Sequence, residues 1–532
     1  MKKIYLFFIF IVLTLFTNTA IAYDFEVDGI YYQYLSDTQV EVAGGYAGDI
    51  IIPEIVIYRN VTYSVTGIKS YAFMGHTSLN SVVIPNSVIL IGDFAFERCS
   101  KLTNVEIGNS VVNLGSCSFR DCSSLTSVVI PNLVTAINWS TFYGCSSLTS
   151  VEIPNSVTKI GQSAFEGCSS LRSVEIPNSV TSIELNAFYG CNSLTSVEIP
   201  NSVTTIDDST FFGCSSLTSV VIPNTLTFIG NNAFESCTSL TSIEIPNSVT
   251  WIGERAFRDC NSLTSIEIPN SVTSINPSTF SRCTSLTNVE IPNSVTSIGT
   301  LAFYGCSSLT SIEIPNSVTS IENDTFSNCS SLRSVEIPNS VTSIGDSTFR
   351  DCTSLTSVEI GNSLTSIGDY VFRGCSSLTS VEIPNSVTSI GYQAFYGCSN
   401  LTRVEIGNSV TSIRSMAFGD CSEIKEVTCL GSIPPSASKY TFSDLVYEFA
   451  SLYVPADYIN NYKTTEPWSD FFEILGGTSG VSTILDNTDS VVTVYSINGI
   501  VVKESCSLED LKLLDKGIYI VVSGKKRYKI SI

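Results

Sequence analysis

The sequence predicts a solenoid of about 16 stacked repeats of 23 residues with a parallel β-ladder, closed by β-rich caps and followed by a small C-terminal β-module. Three observations carry that expectation. A phenylalanine recurs every 23 residues without a slip, from Phe73, Phe96 and Phe119 through to Phe395 and Phe418, sixteen copies in one register. Each unit opens on an alternating stretch such as Leu148-x-x-Val151-x-Ile153, the period-2 pattern of a strand with one buried face. A unit of this size cannot bury its own apolar face, so it must stack on its neighbours.

The segment Leu148 to Ser170, LTSVEIPNSVTKIGQSAFEGCSS, shows the elements in order. After the strand, Pro154-Asn155 stops pairing, because proline has no N–H for a ladder and Asn favours turns. Val157 and Ile160 supply a second short inward stretch, and Ala164, Phe165 and Cys168 fit one helical turn or a tight 3₁₀ loop. The inward columns are then Leu, Val, Ile, Val, Ile, Ala, Phe and Cys. Each buried Phe is worth about 2 kcal/mol, so the aromatic column supplies a large share of the core.

The flanks differ from the repeats. Residues 1–22 read as a cleavable leader: Lys2-Lys3, an apolar run from Ile4 to Phe16, then Ala20-Ile21-Ala22, too short an apolar run to span a bilayer comfortably. Residues 23–60 alternate as strands and are expected to cap the first repeat. The repeats run over 61–424, and 425–475, where the pattern decays through Pro434-Pro435 and Pro467-Trp468, form the second cap. A glycine-rich linker at 476–482 leads to a β-module over 483–532.

The unit resembles the BspA-like class of leucine-rich repeat, whose pattern pairs a strand ending in Ile-Pro with an Ile-Gly-x-x-Ala-Phe-x-x-Cys return. That resemblance implies a leucine-rich-repeat solenoid, exported and surface-associated, with roles in adhesion. The tail, through Val494-Tyr495-Ser496-Ile497-Asn498-Gly499 and Leu514-Asp515-Lys516-Gly517-Ile518-Tyr519, resembles the C-terminal half of a type IX secretion sorting domain. The front half of that family pattern is not visible here.

Composition narrows the chemistry. Charged residues are 14% and hydrophobic ones 43% of the 532, with a net charge of −22; removal of the leader's two lysines takes it to −24. So acidic a chain repels phosphate backbones, and nucleic acid is not an expected partner. Fifteen of the 18 cysteines share one repeat position, from Cys99 to Cys421. Stacked equivalents point the same way about 4.8 Å apart, a poor geometry for disulfides, so a column of small buried hydrophobes is expected. His76 is the one histidine and takes that position in the first repeat. Histidine-dependent nucleophilic or metal chemistry would all have to pass through it, and no enzyme, cofactor or metal centre is expected.

Two surfaces remain as candidates. The outward strand position holds Glu106, Glu152, Glu175 and Glu198, then an unbroken run of Glu244, Glu267, Glu290, Glu313, Glu336, Glu359, Glu382 and Glu405; Val83, Val129 and Val221 interrupt earlier. Carboxylates this close repel by about 1 kcal/mol per neighbouring pair even in water. The stripe therefore reads either as a solubilising face or as a site for divalent cations such as calcium, or for a basic partner. On the return side, Tyr143, Tyr189, Phe212, Tyr304 and Tyr396 alternate with Arg258, Arg350 and Arg373, the residue types that dominate binding hot spots. The expected function is an exported cell-surface or secreted scaffold that adheres to host extracellular or bacterial surface proteins or glycans, without a transmembrane segment once the leader is removed. A structural envelope protein without a specific ligand is the alternative, and a glycan- or peptide-active enzyme the second.

Overall fold

The structure is a computed structural model that describes residues 22–477 and, in the tail, the strand segments 492–496, 501–506, 518–523 and 526–531. The expected leader, most of the linker and the turns of the tail lie outside the described residues. The chain divides into two compact units, Met1–Leu194 and Thr195–Ile532. Both are built from stacked 23-residue coils on parallel ladders.

Unit 1 begins with a meander of β1 (Phe25–Val27), β2 (Ile30–Tyr34) and β3 (Gln39–Gly44), paired antiparallel in that order. Two further strands, β4 (Gly48–Ile51) and β5 (Ile55–Tyr58), precede β6 (Val61–Ile68). β5 and β6 form an antiparallel hairpin, while β3 pairs β6 in parallel. The first repeat then supplies β7 (Leu79–Ile84) and β8 (Leu90–Ile91), and the second β9 (Asn104–Ile107) and β10 (Asn113–Leu114). β4 leads one parallel ladder into β7 and β9, and β6 leads the other into β8 and β10. The N-terminal segment thus feeds both ladders, and the ladder of long strands already starts at Gly48. Gly45 lies so close to Phe73 that an added Cβ would sit 3.0 Å from its ring, which is how the segment covers the end of the aromatic column.

Every later coil repeats this pair of strands. In the coil 148–170, Ser150–Glu152 and Lys159–Ile160 pair in register with Ser127–Val129 and Ala136–Ile137 of the coil before. Leu148, Val157, Ile160, Ala164, Phe165 and Cys168 are fully buried, and Val151 and Ile153 nearly so. The return is not helical. It is a run of i to i+3 turns, with Ala164 N–H donating to Gly161 O, Glu166 to Ser163 and Cys168 to Phe165. Ser163 and Gly167 take left-handed backbone, φ 54° and 74°, and block helix propagation.

Those two left-handed residues do something the sequence does not announce. At the edges of the two strands, N–H groups bond backward: Thr149 to Thr126 O, Thr158 to Thr135 O and Gly161 to Ile137 O. In the return they bond forward: Ser163 to Leu185 O, Phe165 to Ala187 O and Gly167 to Tyr189 O. Left-handed residues flank Phe in each coil, and the first of them is filled by side chains as unlike as Leu301, Tyr370 and Met416.

The phenylalanine rings stack face to face within each unit, 5.2–5.6 Å apart from Phe73 to Phe188 and 5.1–5.7 Å from Phe211 to Phe418. That exceeds the spacing of about 4.8 Å between paired strands, so each coil is wider at its Phe than at its strands. The cysteines form the expected column of buried side chains, and they also hydrogen-bond. Each column thiol from Cys99 to Cys168 donates to the Phe carbonyl of the preceding coil, at 3.1–3.2 Å, and from Cys237 to Cys421 the same bond runs at 3.0–3.3 Å. The seventeen cysteines from Cys99 to Cys429 are buried and stand outside disulfides.

In unit 2 the long-strand ladder does not end with the recognisable repeats. Glu426–Cys429, Ser451–Val454 and Glu473–Gly476 continue it in parallel after Arg403–Ile406. Phe442 stacks on Phe418 at 5.1 Å, a seventeenth member offset to a spacing of 24. The column then stops against rings set edgewise to Phe442: Tyr447, Trp468 and Phe471 at 5.6–6.0 Å. Short helices α1 (Asp444–Phe449) and α2 (Ile459–Lys463) carry part of this plug. Trp468 Nε1 donates to Pro435 O at 2.8 Å and Tyr462 OH to Gly431 O at 2.9 Å, so the buried polar tips are satisfied. The tail strands pair antiparallel in the order 501–506, 492–496, 518–523, 526–531.

Two outcomes follow from this packing. Phe257→Ala, at a fully buried ring between two others, should cost about 3–5 kcal/mol, read as a lower denaturation midpoint by circular dichroism. Burial pushes the Cys99 and Cys329 thiols up to about 12 and Cys122, Cys237 and Cys352 well above the ordinary thiol range. An unfolded chain starts to ionise these thiols near about pH 8.5. The stability they contribute is therefore whole below that value and is lost as pH rises toward 12. Native protein at pH 8 should leave the seventeen described thiols unreactive to a thiol reagent that labels the unfolded chain within minutes.

Candidate functional site

The strand face of unit 2 gathers the acidic stripe. Parallel pairing without register shift sets Glu267 against Glu290, Glu336 against Glu359 and Glu382 against Glu405. Because side chains alternate across a strand, burying Val and Ile on one face sends the residue between them to the other. Glu198, Glu244, Glu267, Glu290, Glu313, Glu336, Glu359 and Glu382 are all exposed. Glu405 is different: it is half-buried, with Arg403 Nη2 3.3 Å from its Oε2. The same register then continues through Thr428, which is buried, and half-buried Tyr453 and Leu475, residues the repeat pattern could not flag because the Pro-Asn signal is gone there.

This face is hollowed. Three adjoining depressions of about 570, 510 and 520 Å³ run along it. The first and second share Ser311 and Glu313, and the second and third share Ser357 and Glu359. Together they form one groove from Glu267 to Glu405, with carboxylates along its floor and Ser and Asn side chains beside them. Unit 1 presents a different face. There Ile51 pairs Val83, Val83 pairs Glu106, and Val129 pairs Glu152, with Ile51 71% and Val129 64% exposed and Glu106, Glu152 and Glu175 exposed among them.

The return-side candidates are largely occupied with one another. The Arg120 guanidinium lies 4.5 Å above the Tyr143 ring, and that of Arg373 lies 5.7 Å from Tyr370 and 5.3 Å from Tyr396. Arg373 Nη1 also donates to Gln393 Oε1 at 2.9 Å. Arg258 stands 3.6 Å from Glu235 and 3.3 Å from Asp259, and Arg350 3.2 Å from Asp351. Tyr189, Phe212 and Tyr304 are half-buried on the same side. Arg120 with Tyr143, Arg373 with Tyr396 and Arg258 with Glu235 tie adjacent coils together by cation–π and ionic contacts. In unit 1 burial raises the Glu97 carboxyl, opposed by Arg98 and Arg120, which lie 3.8 and 3.9 Å away.

Among the described residues no group of His, Cys, Asp and Glu is arranged to hold a metal ion. His76 is half-buried with its ring set edgewise to Phe73 at 5.7 Å. The groove is suited to holding an extended, positively charged chain along its floor. Its carboxylates should destabilise the unliganded fold, and this can be measured. Glu313→Gln with Glu336→Gln should raise the melting temperature at low ionic strength, a gain of order 1 kcal/mol. The gain should vanish in 1 M salt, where the Debye length falls to about 3 Å.

The family model described as BspA type leucine rich repeat region (6 copies) matches residues 54–146, 135–264, 250–370 and 342–462. A crystal structure of a leucine-rich repeat protein from Bacteroides ovatus is 31% identical, with a TM-score of 0.51, covering 76% of this chain and 94% of that one. A leucine rich cell surface protein from Faecalibacterium prausnitzii is 28% identical over the same shares, with a TM-score of 0.38. A leucine-rich repeat protein from T. pallidum is 26% identical, covering 41% of this chain and 90% of that one, with a TM-score of 0.31. No match was found among curated proteins. No described helix is long and apolar enough to cross a membrane.

Proposed function

Since the chain belongs to the BspA type leucine-rich repeat family, we propose that it is an exported cell-surface scaffold that binds host extracellular or bacterial surface proteins through the strand-face groove of unit 2. The observation that carries this reading is the hollowed, continuous run of carboxylates between Glu267 and Glu405. A ligand that brings cations to this floor relieves the repulsion between neighbouring carboxylates, so binding and electrostatic relief act together. The leader-like start of the sequence, Met1 to Ala22, supports export, and the cell-surface protein among the similar structures is compatible with it.

The groove also sets what the ligand should look like. Its floor repeats one side chain at one spacing, so it reads charge and length over several coils and discriminates poorly between short sequences. Long basic segments of extracellular proteins have that chemistry.

Full-length protein titrated against immobilised extracellular-matrix proteins and mucin should give saturable binding to the most basic of them. Replacing Glu290, Glu313, Glu336 and Glu359 by Gln should weaken that binding at least about tenfold and flatten its salt dependence. Binding unchanged by these four substitutions would move the site elsewhere. Concentration-dependent self-assembly with no heterologous ligand would replace the reading with a structural envelope role.

A further inference from the structure

The C-terminal cap of unit 2 ends in a surface that its own packing leaves open. Helix α1 turns Val446 and Tyr447 into the core. It leaves Leu445 and Phe449, one helical turn apart on one face, 48% and 69% exposed. Phe472, whose N–H donates to the Tyr447 carbonyl at 2.8 Å, is 83% exposed. Beside them Asp444, Glu448 and Asp470, with Lys439, Tyr440 and Tyr447, line a depression of about 510 Å³. Closing the aromatic column requires Tyr447, Trp468 and Phe471, not these residues, and large side chains grouped in water mark an interaction surface.

The chain itself supplies a complementary body within reach. It leaves the cap at Gly477 and, with fourteen residues between, enters the four-stranded antiparallel sheet at Val492. The edge strand of that sheet carries Lys526, Arg527 and Lys529, whereas the cap rim sets three carboxylates, Asp444, Glu448 and Asp470, against one lysine, Lys439. Strand Val501–Cys506 exposes Val501 and Val502. Fourteen residues span at most about 50 Å, and a tether of that length holds its two ends at an effective concentration of order millimolar.

We propose that the C-terminal β-module docks onto the cap of its own chain, apolar surface on Phe449 and Phe472 and basic edge strand on Asp444, Glu448 and Asp470. Docking covers the exposed aromatics and pairs charges of opposite sign. It also makes the cap the attachment point for the tail, at the far end of unit 2 from the start of its groove.

Zero-length carbodiimide cross-linking of the full chain, read by mass spectrometry, tests this. Lys526 or Lys529 should become joined to Asp444, Glu448 or Asp470, with a yield that does not change on dilution. Phe449→Ser with Phe472→Ser, or Lys526→Glu with Arg527→Glu, should lower that yield at least about fivefold while the melting temperature of the repeats stays put. Adding Asp444→Lys and Glu448→Lys to the second variant should restore it. Absence of cap-to-tail cross-links, yields indifferent to these variants, or yields that fall on dilution as for a second copy would each overturn the proposal.

Discussion

The constraint on which the structure depends is that a 23-residue coil can satisfy neither its backbone nor its apolar face by itself. N–H groups at the edges of its strands need carbonyls of the coil before, and its return N–H groups need carbonyls of the coil after. The reversal takes place at the two left-handed residues flanking Phe. Between them the Phe ring is carried into the stack, and three residues later the Cys thiol reaches back to the preceding Phe carbonyl. That carbonyl thus accepts twice, from the Cys N–H of its own coil and from the thiol of the next. Ladder, ring stack and thiol bond are consequences of one geometry, so a coil cannot keep one and lose the others.

The constraint also explains why both ends are elaborate. An end coil offers unpaired strand edges and a bare Phe. At the start, β4 and β6 extend the two ladders backward and Gly45 closes over Phe73. At the other end Phe442 adds one more ring, and edgewise Tyr447, Trp468 and Phe471 terminate the stack. Edgewise rings suit that place, because they present a positive edge to the last exposed face rather than another face to be covered.

Much of this was legible in sequence. Phe recurrence and the Leu-x-x-Val-x-Ile alternation were enough for the fold and for which face of each strand is buried, since both depend on periodicity alone. The thiol bond was not, because its acceptor is a main-chain carbonyl 26 residues earlier, which carries no side-chain signal. The left-handed positions were hidden by their occupants: Leu301 and Met416 give no hint of positive φ, and only the forward hydrogen bonds make that conformation worthwhile. Phe442 escaped because one inserted residue breaks the register that identified the rest. The stripe of carboxylates was readable residue by residue, but the hollow that turns it into a groove depends on how successive coils are set, which repeat spacing does not express.

The two candidate surfaces also differ in kind once their neighbours are known. Variation on the return side looked like the information a binding surface needs, yet Arg120 with Tyr143, and Arg373 with Tyr396, pair across coils, and Arg373 also lies against Tyr370 of its own coil. A side chain already held by its neighbour gains little from a ligand, because the ligand must first replace that contact. The groove carboxylates from Glu267 to Glu382 are in the opposite position. Their neighbours in the ladder are other carboxylates, so a cationic ligand displaces a repulsion instead of an attraction. At the end of the run Arg403 already provides that relief for Glu405. Arg403 thus sets a cation of the chain's own beside the last carboxylate of a run whose other members stand next to one another.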